Sequence, residues 1–148
     1  MTFTINNFAG ELAAHLKQRM PEVTFYEDPS QQGLQTPGCF LQQRLAKITK
    51  KQAGRYLRTI SLDLTYLEDF NLSDMQERYQ KAAEIMDESL ELIPYGDAQL
   101  RTYDRNWNID LDELHYKFEL RVWVSPEEDV VLMQSLDYRE NVSDAGKV

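Results

Sequence analysis

Two long runs of alternating side chains constrain the fold of this chain more than any other feature. From Thr59 to Tyr66 apolar and polar residues take turns, and from Leu114 to Val124 six apolar residues occupy every second position. A period of two places all the apolar side chains on one face of a strand. We therefore expect both runs to be strands that turn one face to the protein core and the other away from it.

Each run belongs to a predicted hairpin. Cys39–Ile48 and Arg55–Leu67 form the first, joined by the polar tip Thr49–Gly54. Leu100–Asn108 and Leu114–Val124 form the second, joined by the acidic turn Ile109–Glu113. A strand as long as Arg55–Leu67 spans about 40 Å. Because a small core needs less than this, the first hairpin should project beyond the body of the protein.

Two helices are predicted from apolar positions spaced three and four apart. The first runs from Ile5 to Met20 and is ended by Pro21. The second begins at a capping box, Ser73–Gln76, and runs to about Leu92, where Pro94–Asp97 ends it.

Short strands are expected at Val23–Tyr26 and Val130–Leu136. Helices that alternate with groups of antiparallel strands indicate an α+β fold. We predict a two-layer domain, with a mostly antiparallel sheet packed against two helices and one long projecting β-hairpin. Residues 1–136 form this single domain, and residues 137–148 form a polar C-terminal tail.

Bulk composition excludes several classes of protein. The chain has 148 residues, which fits one domain of ordinary size. No apolar run approaches the ~20 residues that span a bilayer, and the N-terminus lacks a signal peptide, so we expect no membrane partner. Cys39 is the only cysteine, which excludes an internal disulfide and cysteine-clustered metal sites. An excess of acidic residues argues against a general nucleic-acid binder.

Charge is distributed very unevenly along the chain. The stretch between Asp28 and Asp63 contains six basic residues and no acidic residue, so its net charge is +6. Because the whole chain has a net charge of −9, the remainder has −15. Such a protein presents one surface that favours an acidic partner and another that favours a basic one. A second copy placed head to tail satisfies both, and contacts of this kind build rings or filaments.

No catalytic or cofactor motif is present. The only histidines are His15, just off the apolar face of the first helix, and His115, on the outward face of a strand. They lack the third ligand that a metal site would need, and Cys39 has no neighbouring base to activate it. We therefore expect no catalytic residue, no metal and no cofactor. The basic hairpin has three open interpretations: a solvated surface, a protein-binding arm, or a nucleic-acid-binding arm.

Two sequence strings resemble a known family. They are QGLQTPGCF, beginning at Gln32, and RYLRTISLDLTY, which covers Arg55–Tyr66. Both are similar to the tail terminator proteins of phages and prophages of Gram-positive bacteria. Leu114 and His115, which open a long strand after an acidic turn, are similar too. The resemblance extends over roughly residues 5–135.

That resemblance implies a structural role without catalysis. Tail terminators form a ring, commonly of six copies, that caps the head-proximal end of the tail tube. The ring stops tube polymerisation and presents a surface to the head connector, and the genome later passes through its centre. Expected partners are further copies of the chain, the tail-tube protein and the head-completion protein. The expected location is the virion tail, and the host cytoplasm during assembly. An acidic channel wall would let DNA slide without sequence-specific binding.

The predicted interface joins basic and acidic segments. Subunit or tube contacts are assigned to the loop and the hairpin tip, and the acidic turns are their electrostatic counterparts. The residues are Gln31, Gln32, Gly33, Leu34, Lys47, Lys50, Lys51, Arg55, Arg58, Asp110, Asp112, Glu113, Glu127, Glu128 and Asp129. Two alternatives remain open: another head–tail connector or tail-tube protein, and a small enzyme that uses Cys39 or His115.

Overall fold

The computed structural model describes residues 3–27, 35–69 and 71–124. Its two helices and six strands follow one another along the chain, with a single turn of 3-10 helix at Gln52–Gly54. The elements are α1 (Ile5–Lys17), β1 (Thr24–Tyr26), β2 (Gly38–Lys50), β3 (Tyr56–Leu67), α2 (Met75–Ser89), β4 (Leu92–Tyr95), β5 (Ala98–Asp110) and β6 (Glu113–Val124). No helix in these ranges is long and apolar enough to cross a bilayer.

All six strands form one curled sheet in the order β1-β2-β3-β6-β5-β4. β1 is parallel to β2, and every other neighbouring pair is antiparallel. The register joins the two predicted hairpins, because β3 pairs with β6 from Tyr56 opposite Val124 to Tyr66 opposite Leu114. The two alternating runs therefore lie side by side at the centre of the sheet, which aligns their apolar faces.

Both helices pack on that apolar face. Phe8, Leu12 and Leu16 of α1 are buried, as are Tyr79 and Met86 of α2. They contact one row of side chains from the two central strands, namely Ile60, Leu62, Leu64, Tyr66, Leu114, Tyr116, Phe118 and Leu120. The predicted α+β two-layer architecture is confirmed.

The start of α2 differs from the prediction. Asp74, and not Ser73, is the N-cap residue, and no side chain caps the first turn. The Asp74 carboxylate instead accepts two hydrogen bonds from Nε of Arg78, at 3.1 and 3.2 Å. The predicted capping box at Ser73 is therefore wrong. The N-cap residue is one position later than that box requires, and its carboxylate pairs with Arg78 and not with the backbone of the first turn.

The end of α2 also differs. The helix ends at Ser89, and Leu92–Tyr95, which contains Pro94, forms β4. A strand can contain proline here because β4 lies at the edge of the sheet, where one side of the backbone needs no partner. Gly96 follows with a positive φ of 60°, which turns the chain into β5.

The long hairpin extends beyond the helical layer, as predicted. Residues 43–48 of β2 are exposed, in contrast to the buried residues at its start. β6 accompanies the hairpin as a third strand to its end, since Tyr56 pairs with both Lys50 and Val124. Three paired strands, and not two, therefore stiffen the projecting part.

Candidate assembly interface

One end of the sheet is basic. Lys47, Lys50, Lys51 and Arg55 are exposed around the β2–β3 turn, and Arg58 is half-buried beside them. None of the five forms an ion pair with any described residue. Unpaired charges on an exposed edge remain available to an acidic partner, and their attraction extends about 8–10 Å at physiological salt.

The turn holds these charges in a defined arrangement. Ala53 and Gly54 both have positive φ, at 62° and 72°. The Lys51 N–H donates to the Arg55 carbonyl at 2.7 Å, and the Arg55 N–H donates to the Gln52 carbonyl at 3.3 Å. The Arg55 guanidinium lies over the Trp123 ring of β6, 4.6 Å from its centroid. A cation held this way loses less side-chain entropy when it binds a partner.

The opposite end of the sheet is acidic. Asp110 ends β5 and Asp112 lies in the two-residue turn before β6; both are exposed, and Glu113 is half-buried. Leu111 and Asp112 have φ of 51° and 61°, the geometry of the tight turn that suits the twist of a hairpin. Glu68, Asp69 and Asp74 follow the end of β3 at the same end of the sheet.

Tyr79 of α2 connects the acidic turn to the helical layer by hydrogen bonds. Its hydroxyl accepts a hydrogen bond from the Glu68 N–H at 3.1 Å and donates one to the Asp112 carbonyl at 2.6 Å. The side chain is fully buried, and burial raises the pKa of Tyr79. Tyr66 behaves alike: burial, and then its 2.6 Å hydrogen bond to the Glu68 carboxylate, raises the pKa of its hydroxyl. The acidic end is therefore anchored to the helical layer.

The two charged ends are separated by the whole length of β3. Tyr56 lies at the basic end and Tyr66 at the acidic end, ten residues apart in one continuous strand. At about 3.4 Å per residue the separation is roughly 34 Å. Because one copy cannot bring its own two ends together, attraction between the basic end and the acidic end can act only between copies.

His115 forms a polar cluster on the sheet face opposite the helices. Its Nδ1 lies 2.9 Å from an Asp63 carboxylate oxygen, and its Nε2 lies 3.3 Å from a Glu113 oxygen. The Thr65 hydroxyl donates to the other Asp63 oxygen at 3.1 Å. Asp63 and Thr65 are almost completely buried, and 17% of the His115 side chain is exposed. His115 thus lies on the predicted face, where it is a structural partner of Asp63.

Cys39 and His115 are on opposite faces of the sheet. Cys39 pairs with Tyr66 in the core layer, whereas His115 pairs with Thr65 in the other layer. Cys39 is buried, and burial, with the nearby Asp63 charge, raises the pKa of its thiol. A neutral buried thiol is a poor nucleophile. The described residues also contain no group of three His, Cys, Asp or Glu side chains that could hold a metal ion. Cys39 and His115 therefore do not form a nucleophile–base pair.

Some predicted contact residues lie outside the described part of the chain. They are the loop residues Gln31, Gln32, Gly33 and Leu34 and the acidic residues Glu127, Glu128 and Asp129. Next to the loop, the Gln35 N–H donates to the Tyr26 hydroxyl at 2.6 Å. A Cβ on Gly38 would lie 2.6 Å from the Gln35 carbonyl oxygen, so only glycine fits there.

Several relevant residues carried too weak a signal in the sequence. Tyr79 matched the apolar spacing of α2, and nothing in that spacing shows that its hydroxyl reaches two other elements. Leu45 and Ile48 are exposed at 60% and 68%, and Trp123 at 48%; Ile48 and Trp123 lie near the basic end, and Leu45 lies midway along the sheet. The only available signal was the alternation around Leu45 and Ile48, which assigns them to opposite faces of one strand.

The sequence profile of the phage tail terminator proteins matches residues 7–131. The chain belongs to the phage tail terminator protein family. This result confirms the resemblance seen in the two sequence strings. It assigns the chain to a structural family of the phage tail and therefore to virion assembly.

Other comparisons add little to the family assignment. No curated protein matches the chain. One solved structure, whose name gives no description of function, aligns with 82% of this chain and 95% of its own at 10% sequence identity and a TM-score of 0.34. That likeness is too low to support an argument. The functional interpretation of this tail terminator therefore depends on the family and on the geometry of its two charged ends.

Proposed function

We propose that this protein forms a ring that caps the head-proximal end of the phage tail tube. The ring ends tube polymerisation and offers its other face to the head-completion protein. The main support is the position of the unpaired basic residues and the anchored acidic turn at opposite ends of one stiff sheet. Membership of the tail terminator family supports the same role.

The contact between copies is heterologous. The basic end of one copy, with Lys50 and Lys51, meets the acidic turn of the next, with Asp110 and Asp112. Repetition of a heterologous contact closes into a ring when the rotation per copy divides a full turn. Six copies match the ring size common in this family. Genome DNA passes through the centre without sequence-specific contacts, and acidic side chains along the channel keep phosphates from adhering.

Removal of the protein tests the capping role. Phage particles assembled without it should have tails of uncontrolled length, because nothing stops addition of tube subunits. Negative-stain images would give the distribution of tail lengths with and without the protein. A normal, narrow distribution in its absence would rule out the proposed role. Long cylinders formed by the purified protein alone would instead identify a tube subunit.

A charge swap tests the contact between copies. Lys50→Glu with Lys51→Glu should weaken association and reduce its dependence on salt. Adding Asp110→Lys and Asp112→Lys to the same chain should restore association, because both ends of every copy are then reversed. The matched control for Lys50→Glu is Lys81→Glu, at an exposed position of α2 that forms no ion pair with a described residue. If the fourfold variant associates no better than the double variant, the two ends do not contact each other.

Sedimentation velocity at several salt concentrations, with and without isolated tail tubes, measures these effects. Exposed ion pairs contribute only about 0.2–1 kcal/mol each. Breaking two or three of them per contact should therefore reduce the association constant by roughly 2- to 150-fold. Rescue by the fourfold variant in tube-free samples would show that the charges act between copies and not between the ring and the tube.

A further inference from the structure

In the described part of the chain, one edge of the sheet is open along most of β2. β1 pairs only with Gly38–Phe40, at the start of the strand. Among the described residues, Leu41–Lys50 have a strand partner on one side alone, which is β3. Ten residues of free strand edge extend about 33 Å and offer backbone donors and acceptors to another extended chain.

Natural edge strands are usually protected against such pairing, and this one has part of that protection. Arg44, Lys47 and Lys50 place charges along it, and the register shifts between Gln43 and Leu45. Both features discourage uncontrolled edge-to-edge association. They also select an acidic partner, since the edge has three basic residues and no acidic one.

Two exposed apolar side chains distinguish this edge from an edge strand that is only protected against pairing. Leu45, which pairs with Ser61, and Ile48, which pairs with Arg58, are 60% and 68% exposed and lie on opposite faces of β2. Five large hydrophobic residues are exposed in the described part of the chain, and two of them are on this edge. An added strand with apolar side chains on both of its faces would cover Leu45 on one face of the sheet and Ile48 on the other.

A segment of the chain itself has the matching chemistry. Residues 125–148 lie outside the described part, so their contribution is inferred from their sequence alone. Val130–Leu136 is predicted as a strand with apolar residues at both even and odd positions. The stretch 125–138 contains four acidic residues and no basic one, which complements the basic edge.

The place where the chain leaves the sheet favours a neighbouring copy. Val124 pairs with Tyr56, so β6 ends at the basic end, beside the chain's own hairpin turn. A position outside β2 is three strand spacings away, about 14 Å. The six chain steps from Val124 to Val130 span at most about 20–22 Å when fully extended. To reach its own β2 edge the segment must also pass around the turn Lys51–Arg55, a detour that the β2 edge of an adjacent copy does not require.

We propose that Val130–Leu136 of one copy adds as a further strand to the open β2 edge of the next copy. This rests on the proposed ring and specifies one of its contacts. Main-chain hydrogen bonds hold the added strand, and Leu45 and Ile48 receive its apolar side chains. Each copy gives one strand and accepts one, as a heterologous contact requires.

Cross-linking between two single-site variants tests the proposal. Full-length Leu45→Cys and full-length Met133→Cys are mixed and treated with a short bismaleimide, which joins thiols without an oxidant. We expect covalent dimers in the mixture, and peptide mass spectrometry should show position 45 of one variant joined to position 133 of the other. Unsubstituted protein is the background control because its only thiol, Cys39, is buried. Leu92→Cys, at a position 37% exposed in β4 on the other edge of the sheet, is the matched control partner and should give little product with Met133→Cys.

A double variant, Leu45→Cys with Met133→Cys, separates the two connectivities. Links between copies give a ladder of multimers that disappears on dilution with unsubstituted protein. Internal links give a monomer of altered mobility at every concentration, and that result would overturn transfer to a neighbour. Absence of a link between positions 45 and 133, both alone and on tail tubes, would overturn strand addition altogether.

The tail-length experiment decides the ring proposal independently. If tails lose length control without the protein but no link between positions 45 and 133 forms, capping stands and strand addition fails. If tails remain normal but the link forms between copies, strand addition stands as a self-association unrelated to capping.

Discussion

Replacing Tyr79 by Phe removes one hydroxyl that connects three parts of the fold. The aromatic ring at position 79 remains, and so does its edge-to-face packing on Tyr66, with ring centroids 5.9 Å apart. What is lost is the hydrogen bond from the Glu68 N–H and the one to the Asp112 carbonyl. Asp112 is exposed, so water can replace the second bond. Glu68 is only 8% exposed, so its N–H is left without a partner.

The expected cost follows from that difference. A hydrogen bond that water can replace contributes about 0.5–1.5 kcal/mol, and a buried donor left unpaired costs about 1–3 kcal/mol. We expect Tyr79→Phe to lower the free energy of unfolding by roughly 2–3 kcal/mol. With a urea m-value of roughly 2 kcal/mol/M, the midpoint should fall by about 1–1.5 M while the m-value stays constant.

Urea unfolding followed by tryptophan fluorescence measures this change. Tyr103→Phe is the matched control, because the Tyr103 ring lies under the Arg121 guanidinium at 4.0 Å and its hydroxyl bonds to no described residue. The control should change stability by less than about 0.5 kcal/mol. If Tyr79→Phe is as mild as the control, Tyr79 does not anchor the acidic turn, and the argument for a rigid acidic end fails.

Three further predictions concern buried groups. First, burial raises the pKa of Cys39, Tyr66 and Tyr116, so above about pH 9–10 the unfolded chain loses protons that the folded chain keeps. The contribution of these groups to the free energy of unfolding is therefore fully present below that range, and above it that free energy falls by on the order of 1 kcal/mol per pH unit or more. A urea midpoint that stays constant between pH 8 and pH 11 would contradict this. Second, native Cys39 should react with iodoacetamide at pH 8 only as fast as the protein opens, so the rate should rise steeply in urea; fast labelling without denaturant would show an accessible thiol. Third, Asp63→Ala should lower the free energy of unfolding by on the order of 3 kcal/mol, because His115 and Thr65 both lose a buried charged partner. Glu119→Ala, at a half-buried position of β6, is the control and should lower it by less than about 1 kcal/mol. Equal effects of the two substitutions in thermal unfolding would show that the cluster around Asp63 contributes nothing to stability.

The sequence by itself determined the architecture and the polarity of charge. Alternation of period two between Leu114 and Val124 leaves a strand with one apolar face as the only arrangement that buries those side chains together. The acid-free stretch that contains Lys50 and Lys51 likewise fixed the existence of a basic hairpin. Both properties are local, since each depends on neighbours in the chain.

Only the tertiary structure decided where the two charges lie relative to each other. The pairing of β3 with β6 places Asp110 and Asp112 at the far end from Lys50 and Lys51, and that register joins residues 48 to 68 positions apart. The same holds for Tyr79, whose hydroxyl joins Glu68 to Asp112, and for the open edge beyond Phe40. A sequence pattern specifies which face a side chain occupies, but which strands become neighbours depends on the packing of the whole core.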